Sequence, residues 1–257
     1  MIDLSSARVY DLGQPYFPGM PHYPVHPPFL FGLTKAHGEV VGPAGGSSAA
    51  EAITLGGHVG THIDALSHFS CDGKLHGGIV PTQSYSEGVR EHAVENIAPI
   101  LRRAVLFDVA RLAGVDSLPH DFEITPEHLA ACGVEPAPGG IALIRTGWAQ
   151  FWNDSKQFIF GGSGTAPRGP GPTLQGAQWL SSRGIFAAGS DTVSFERVPS
   201  SMEVHVHLLV EKGIHIIECL NLEELSRNGV KEFWFVALPL KIRGGTGSPI
   251  RPVALAD

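Results

Sequence analysis

Apolar residues along the chain fall into short runs, each closed by glycine, proline or small polar residues, and this punctuation sets out the elements. R-V-Y-D-L (8–12) reads as a short strand, and A-A-E-A-I-T-L (49–55) as another. R-A-V-L-F-D-V (103–109) is continuous enough for a buried strand, and A-L-I-R-T-G (142–147), I-F-A-A-G-S-D (185–191) and I-H-I-I-E-C-L (214–220) follow the same form. F-W-F-V-A-L-P-L-K-I (233–242) is expected to be a long terminal strand. Between them, T-P-E-H-L-A-A-C-G (125–133) predicts a helix with Thr125 as N-cap and Gly133 beyond its end. T-L-Q-G-A-Q-W-L-S-S-R-G (173–184) predicts a helix ending on Gly184, and residues 203–212 a third. Strands alternating with helices imply an α/β fold with a mixed sheet in a single domain, residues 1–257.

Two segments break this rhythm. Residues 13–30 form a proline-rich arm, in which repeated X-Pro pairs disfavour helix and Tyr16, Phe17, Met20, Tyr23 and Phe29 supply adhesive surface. Such an arm must lie against its own domain or a neighbouring subunit. F-I-F-G-G-S-G-T-A-P-R-G-P-G-P (158–172) is expected to be a long loop, suited to covering a site. Neither it nor G-G-T-G-S-P (244–249) is a phosphate loop, because no G-K-[ST] follows.

Composition narrows the partners. A net charge of −7 without any Lys/Arg-rich patch argues against nucleic acid. Only 17% of residues are charged, a sparse surface that points to a homo-oligomer. Three scattered cysteines without C-x-x-C pairing suggest neither a disulfide framework nor a zinc ribbon. With no basic-then-apolar leader and no apolar run of about 18 residues, a cytoplasmic location away from membranes is expected.

The chemistry concentrates in G-G-H-V-G-T-H-I-D-A-L-S-H (56–68), which holds His58, His62, Asp64 and His68. A helix would split the set, since Asp64 lies about 240° round the wheel from His58. In an extended chain the even positions share one face, with His62 and Asp64 about 7 Å apart at their backbones. His58 joins them only if the chain bends, and Gly60 is placed to allow that bend. Two imidazoles and a carboxylate suit Zn²⁺, Mn²⁺ or Fe²⁺ with coordination positions left for water and substrate, and His68 is then placed to carry protons. The alternative is a hydrogen-bonded turn. The isolated histidines, His22, His26, His37, His92, His120 and His128, read as structural.

H58-V-G-T-H62-I-D64-A-L-S-H68 resembles the H-x-G-T-H-x-D-x-x-x-H signature of the cyclase family of metal-dependent hydrolases, which includes kynurenine formamidases and isatin hydrolases. D-L-G-Q-P, A-L-I-R-T-G-W, A-G-S-D-T-V-S-F-E, K-G-I-H-I-I-E-C-L-N-L and the closing L-P-L-K-I-R-G-G-T-G-S-P-I-R-P extend the likeness over nearly the whole chain. The resemblance implies a swivelling β/β/α fold, a homodimer or higher oligomer, and opening of an amide or lactam bond by metal-activated water. It assigns His58, His62 and Asp64 as metal ligands and His68 as the proton donor and acceptor.

The formamidase pattern adds a second metal held by a later histidine and glutamate. Aligning Gly213, Ile214 and Glu218 to that pattern puts Val206 at the histidine position, with His205 and His207 on either side. The resemblance therefore favours the isatin hydrolase branch and one ion per chain, Mn²⁺ ahead of Zn²⁺. His205 and His207 are left as substrate-contacting or merely helical, and Glu218 as a residue that orients a neighbour or binds water. Phe17, Tyr23 and Phe29 are expected to wall a planar substrate, a small aromatic amide or lactam such as an isatin-like ring. An N-formylkynurenine formamidase is the alternative. A metal-dependent lyase or cyclase acting on an unsaturated or polyketide-like acid, and a non-catalytic binder, complete the set.

Overall fold

In a computed structural model, which describes residues 6–256, the most buried strands are those whose sequence is most continuously apolar. Ile141–Arg145 is buried at every position, with Ile141 and Leu143 in one hydrophobic core and Ala142 and Ile144 in the other. A strand apolar on both faces needs cover on both, which is the condition of a central parallel strand. It is paired in parallel with Ile100–Asp108 on one side and Ala187–Ser190 on the other, and the latter pairs in parallel with His215–Glu218.

Antiparallel strands complete a nine-stranded mixed sheet. Beyond Ile100–Asp108 come Glu232–Ala237, Val253–Ala256 and Arg8–Asp11, so the first and last described strands pair with each other. Beyond His215–Glu218 come His62–Asp64 and then Gly247–Pro249. The α/β character and mixed sheet expected from the sequence are therefore present. The helices Pro126–Ala131 and Leu174–Ser181 lie where the capping signals put them.

Four elements differ from the sequence reading. The strand expected over 233–242 stops at Ala237, because Pro239 has no N–H for the ladder, and Leu238 and Leu240 are exposed. Gly247–Pro249 and Val253–Ala256 are strands that a glycine- and proline-rich sequence concealed. The F-I-F of the expected loop closes a helix, Ser155–Phe160, capped by Asp154. The rest of that loop is tied back through Arg168 N to Ile159 O, and does not line the cavity described below.

The proline-rich arm packs on its own chain. Met20 and Phe29 are buried in a third core with Trp148, Trp152 and Phe158, and Trp152 Nε1 donates to Pro15 O at 2.8 Å. Asp191, wholly buried, accepts from Thr146 N, Thr146 Oγ1 and Gly147 N at 2.6–2.8 Å. That carboxylate ties together the ends of two neighbouring parallel strands, the edge of the sheet where the site lies.

Candidate metal centre

The site begins with a strand of three residues. In His62–Asp64, Ile63 points into one core while His62 and Asp64 face the other way. The pairing with His215–Glu218 sets Glu218 opposite His62 and Ile216 opposite Asp64, so Glu218 joins the same face. Its carboxylate bridges two histidines: Oε2 lies 3.4 Å from His62 Nε2, and Oε1 lies 3.4 Å from His205 Nε2.

His58 reaches this face because the chain curls at Gly60, whose φ is +71°. The Tyr16 ring occupies the space a Gly60 side chain would need, and its hydroxyl lies 3.0 and 3.2 Å from the carbonyl oxygens of Val59 and Thr61. Thr61 Oγ1 accepts from Gln14 N and donates to Cys219 O. The early D-L-G-Q-P segment thus holds the curl in place. His58 Nδ1 then lies 2.6 Å from Asp64 Oδ1, and its ring fills the space beside Gly247 that any side chain there would take.

Two donor sets result, with Asp64 common to both. His58, His62 and Asp64 form one, and Asp64, His205 and Glu218 the other; within each, the donor atoms lie within 4.8 Å of one another. The second set bears directly on Val206. The helix that starts at Glu203 widens into a π-helical turn over Val206–Lys212, which takes up one residue more than an α-turn. Counted back from Gly213, His205 therefore comes round to face Glu218 and is buried, while Val206 is turned aside and half-buried. The expectation of a single ion rested on an unbroken helix, and that basis is removed.

The residues fit a cation. Asp64 Oδ2 is buried without a hydrogen-bond partner, a costly state for a carboxylate oxygen. Burial alone would push the Asp64 carboxyl up, yet His68, His58 and His62 hold it well below the usual carboxylate range. Burial likewise opposes a charge on His205, but the Glu196 and Glu218 carboxylates outweigh it and push its pKa up to about 10. Burial also works against a charged His62, and Glu218 and Asp64 again prevail and raise it. The cluster demands positive charge. His62 Nδ1 donates to Gly60 O at 2.8 Å, which fixes its tautomer and leaves Nε2 facing the carboxylates.

A cavity of about 250 Å³ opens onto these groups. His68, half-buried on its wall, stacks on His58 with ring centroids 3.8 Å apart. Burial pushes its pKa down to about 4, so it is neutral at pH 7 and able to accept a proton. Tyr23, Val25, Phe69 and Val193 supply the apolar wall, and Ser194 Oγ, buried and unpartnered, belongs to the same lining. A larger groove of about 860 Å³ runs past Asp11, Tyr16, Leu238 and Arg251, but gathers no comparable donor cluster.

The sequence-predicted residues are only partly brought together. His58, His62, Asp64, His68, His205, Glu218 and Tyr23 converge. Phe29 is buried against Tyr16, with ring centroids 5.6 Å apart, and does not reach the cavity; Phe17 packs against the same core. His207 is turned away, bonded to Ser181 Oγ at 2.9 Å and Glu211 Oε2 at 2.8 Å. Three contributors were not singled out: Ser194, Glu196 and His26. His26 read as structural, yet it lines the cavity and stacks on His58 at 5.3 Å. Its signal was slight, one imidazole among prolines.

Buried imidazoles and carboxylates sharing one aspartate, with a neutral histidine at a small apolar cavity, define a metal-dependent hydrolase centre. The comparisons agree. Residues 10–197 match the "Cyclase" family. Isatin hydrolase of Roseibium aggregatum is 26% identical over 211 residues, 79% of this chain and 73% of that protein. Kynurenine formamidase of Bacillus cereus is 27% identical over 250 residues, 97% and 98% of the two chains. A crystal structure described as a novel cyclase superposes with a TM-score of 0.87 at 27% identity, covering 98% of this chain and 87% of the other. The chain belongs to the cyclase family of metal-dependent hydrolases.

Proposed function

We propose that the chain opens the C–N bond of a cyclic or aryl-linked amide, an isatin-like lactam first. The observation that carries this is the meeting of a buried, unpartnered Asp64 oxygen with His58, His62 and a neutral His68 at the wall of one small cavity. His58, His62 and Asp64 would hold the ion, Mn²⁺ ahead of Zn²⁺. Bound there, a divalent ion would supply Lewis acidity, polarising a substrate carbonyl and lowering the pKa of water from 15.7 to roughly 7.

The remaining work falls to the chain's own residues. His68 takes a proton from the attacking water at its ring nitrogen and returns it to the leaving nitrogen as the C–N bond breaks, giving a carboxylate and an amine. Tyr23, Phe69 and Val193 receive a planar ring. Ser194, whose Oγ is buried without a protein partner, is the uncharged polar residue of this lining. The second donor set, Asp64, His205 and Glu218, favours N-formylkynurenine as the competing substrate, since the formamidase pattern carries a second metal. The deciding assay follows absorbance of isatin and of N-formylkynurenine in parallel, in the presence of Mn²⁺. Loss of isatin absorbance supports the lactam reading, turnover of the formamide alone moves the assignment to formamidase, and turnover of neither overturns both.

We further infer a homodimer built on an apolar ribbon. Leu30–Lys35 and Ala50–Thr54 form a two-stranded sheet of their own, on which Leu30, Phe31, Leu33 and Ile53 are each at least half exposed. Phe31 and Ile53 are directly opposite, so they share a face with Leu33. An isolated two-stranded ribbon is marginal in water. The accessible surface of the chain is 12382 Å², whereas a compact chain of its mass is expected to expose about 10,900 Å². The excess, roughly 1,500 Å² on one chain and so about 3,000 Å² over two, falls in the range of an obligate dimer interface. A second copy of the chain is the occupant this reading assigns to the ribbon.

A further inference from the structure

Glu196 lies beyond the strand Ala187–Ser190 and is 1% exposed. A buried carboxylate outside the two donor sets requires an explanation. It is bound twice to one residue: Oε1 accepts from the backbone N–H of His205 at 2.9 Å and from its ring Nδ1–H at 2.7 Å. The backbone bond falls at the start of the short helix Glu203–His205, where N–H groups lack partners within the helix. The ring bond decides the tautomer. With Nδ1–H held by Glu196, Nε2 is the ring nitrogen left facing Glu218 Oε1, 3.4 Å away.

The two bonds do different work. With the π-helical turn over Val206–Lys212, the helix presents His205 rather than Val206 to Glu218. The Glu196 bond to the backbone N–H of His205 anchors the helix at that residue. The ring bond orients the imidazole and leaves Nε2 as the nitrogen facing Glu218. His207, bonded to Ser181 and Glu211 on the other side of the helix, has no such placement.

We propose that Glu196 is the positioning residue of the second cation-binding set, the residue through which this chain recovers a histidine ligand despite Val206. This rests on the metal reading of the site. Carboxylates that hold metal-ligating histidines through their second ring nitrogen typically contribute 10- to 100-fold in metal affinity. Removing Glu196 should therefore act on one ion and spare the other, because His58, His62 and Asp64 make no hydrogen bond to it.

The test counts ions. Chelator-stripped wild type, Glu196→Ala, Glu196→Gln and His207→Ala are titrated with Mn²⁺ by calorimetry, and bound metal per chain is measured after gel filtration. Two ions are expected for the wild type and for His207→Ala, and one for Glu196→Ala. Glu196→Gln keeps an oxygen for both N–H groups but loses the charge, so it should bind both ions with the second weakened about 10-fold or more. The ion retained by Glu196→Ala reports that the fold and first set are intact. Two ions of wild-type affinity in Glu196→Ala would overturn the role of Glu196 alone. A single ion in saturated wild type would overturn the second set and the role with it, and no ion would overturn the metal reading.

Discussion

His58 Nδ1 lies 2.6 Å from Asp64 Oδ1 across a curl of six residues. That closure depends on Gly60, whose positive φ and missing side chain admit both the curl and the Tyr16 ring. Gly60→Ala should cost about 1–3 kcal/mol from the backbone conformation alone, and more from displacing Tyr16. The predicted outcome is a folded protein of lowered Tm that has lost the ion at His58, His62 and Asp64. Tyr16→Phe, which removes only the hydroxyl clamp, should keep that ion. Metal analysis of the two variants checks the difference, and a fully loaded Gly60→Ala protein would contradict it.

His68 is assigned chemistry rather than ligation. His68→Gln should lower kcat by about 10²- to 10⁴-fold, the usual range for losing a general acid–base group. The ion content should stay at the wild-type value. Steady-state kinetics paired with metal analysis separates this from a ligand role, which would reduce both.

The same residue gives a pH dependence to stability. In the metal-free protein its folded-state pKa of about 4 lies below the ordinary 6.5, so between those values the unfolded chain binds a proton that the folded chain refuses. Stability should thus rise with pH from about 4 to 6.5 and gain nothing more from His68 above that window, a contribution of up to about 3 kcal/mol. Urea unfolding of stripped wild type and His68→Gln at pH 4.5 and 7 measures it. The variant should show the smaller difference.

The ribbon carries the association prediction. Phe31→Asp combined with Ile53→Asp puts two like charges opposite each other on its apolar face, which is unfavourable within the ribbon and more so in a covered interface. Light scattering after gel filtration should give a dimer for the wild type and a monomer for the double variant. A monomeric wild type would refute the inference.

Much of this was legible in the sequence, for reasons that differ by residue. His62 and Asp64 follow from the two-residue period of a strand, and the bend at Gly60 from the need to bring His58 back. The central strands were visible because burial on both faces leaves an unbroken apolar run, as in Ile141–Arg145. Gly247–Pro249 was not, because its place in the sheet comes from pairing with His62–Asp64, not from its own composition. The sequence leaves His205 and Val206 unranked, because a π-turn adds a residue without any mark in the local sequence. Glu196 was missed because its importance lies in a contact with a residue nine positions on. Phe17 and Phe29 were assigned to the cavity on aromatic character alone, and that character is spent on the core with Trp148 and Trp152.

The central claim is that an ion held by His58, His62 and Asp64 drives amide opening in the adjoining cavity. Its most direct test is the rate of isatin ring opening by one chelator-stripped preparation, recorded before and after Mn²⁺ is restored. No turnover by the stripped protein and recovery on adding the ion is the predicted result. Undiminished turnover without metal, or none after the ion is shown to have bound, would contradict it.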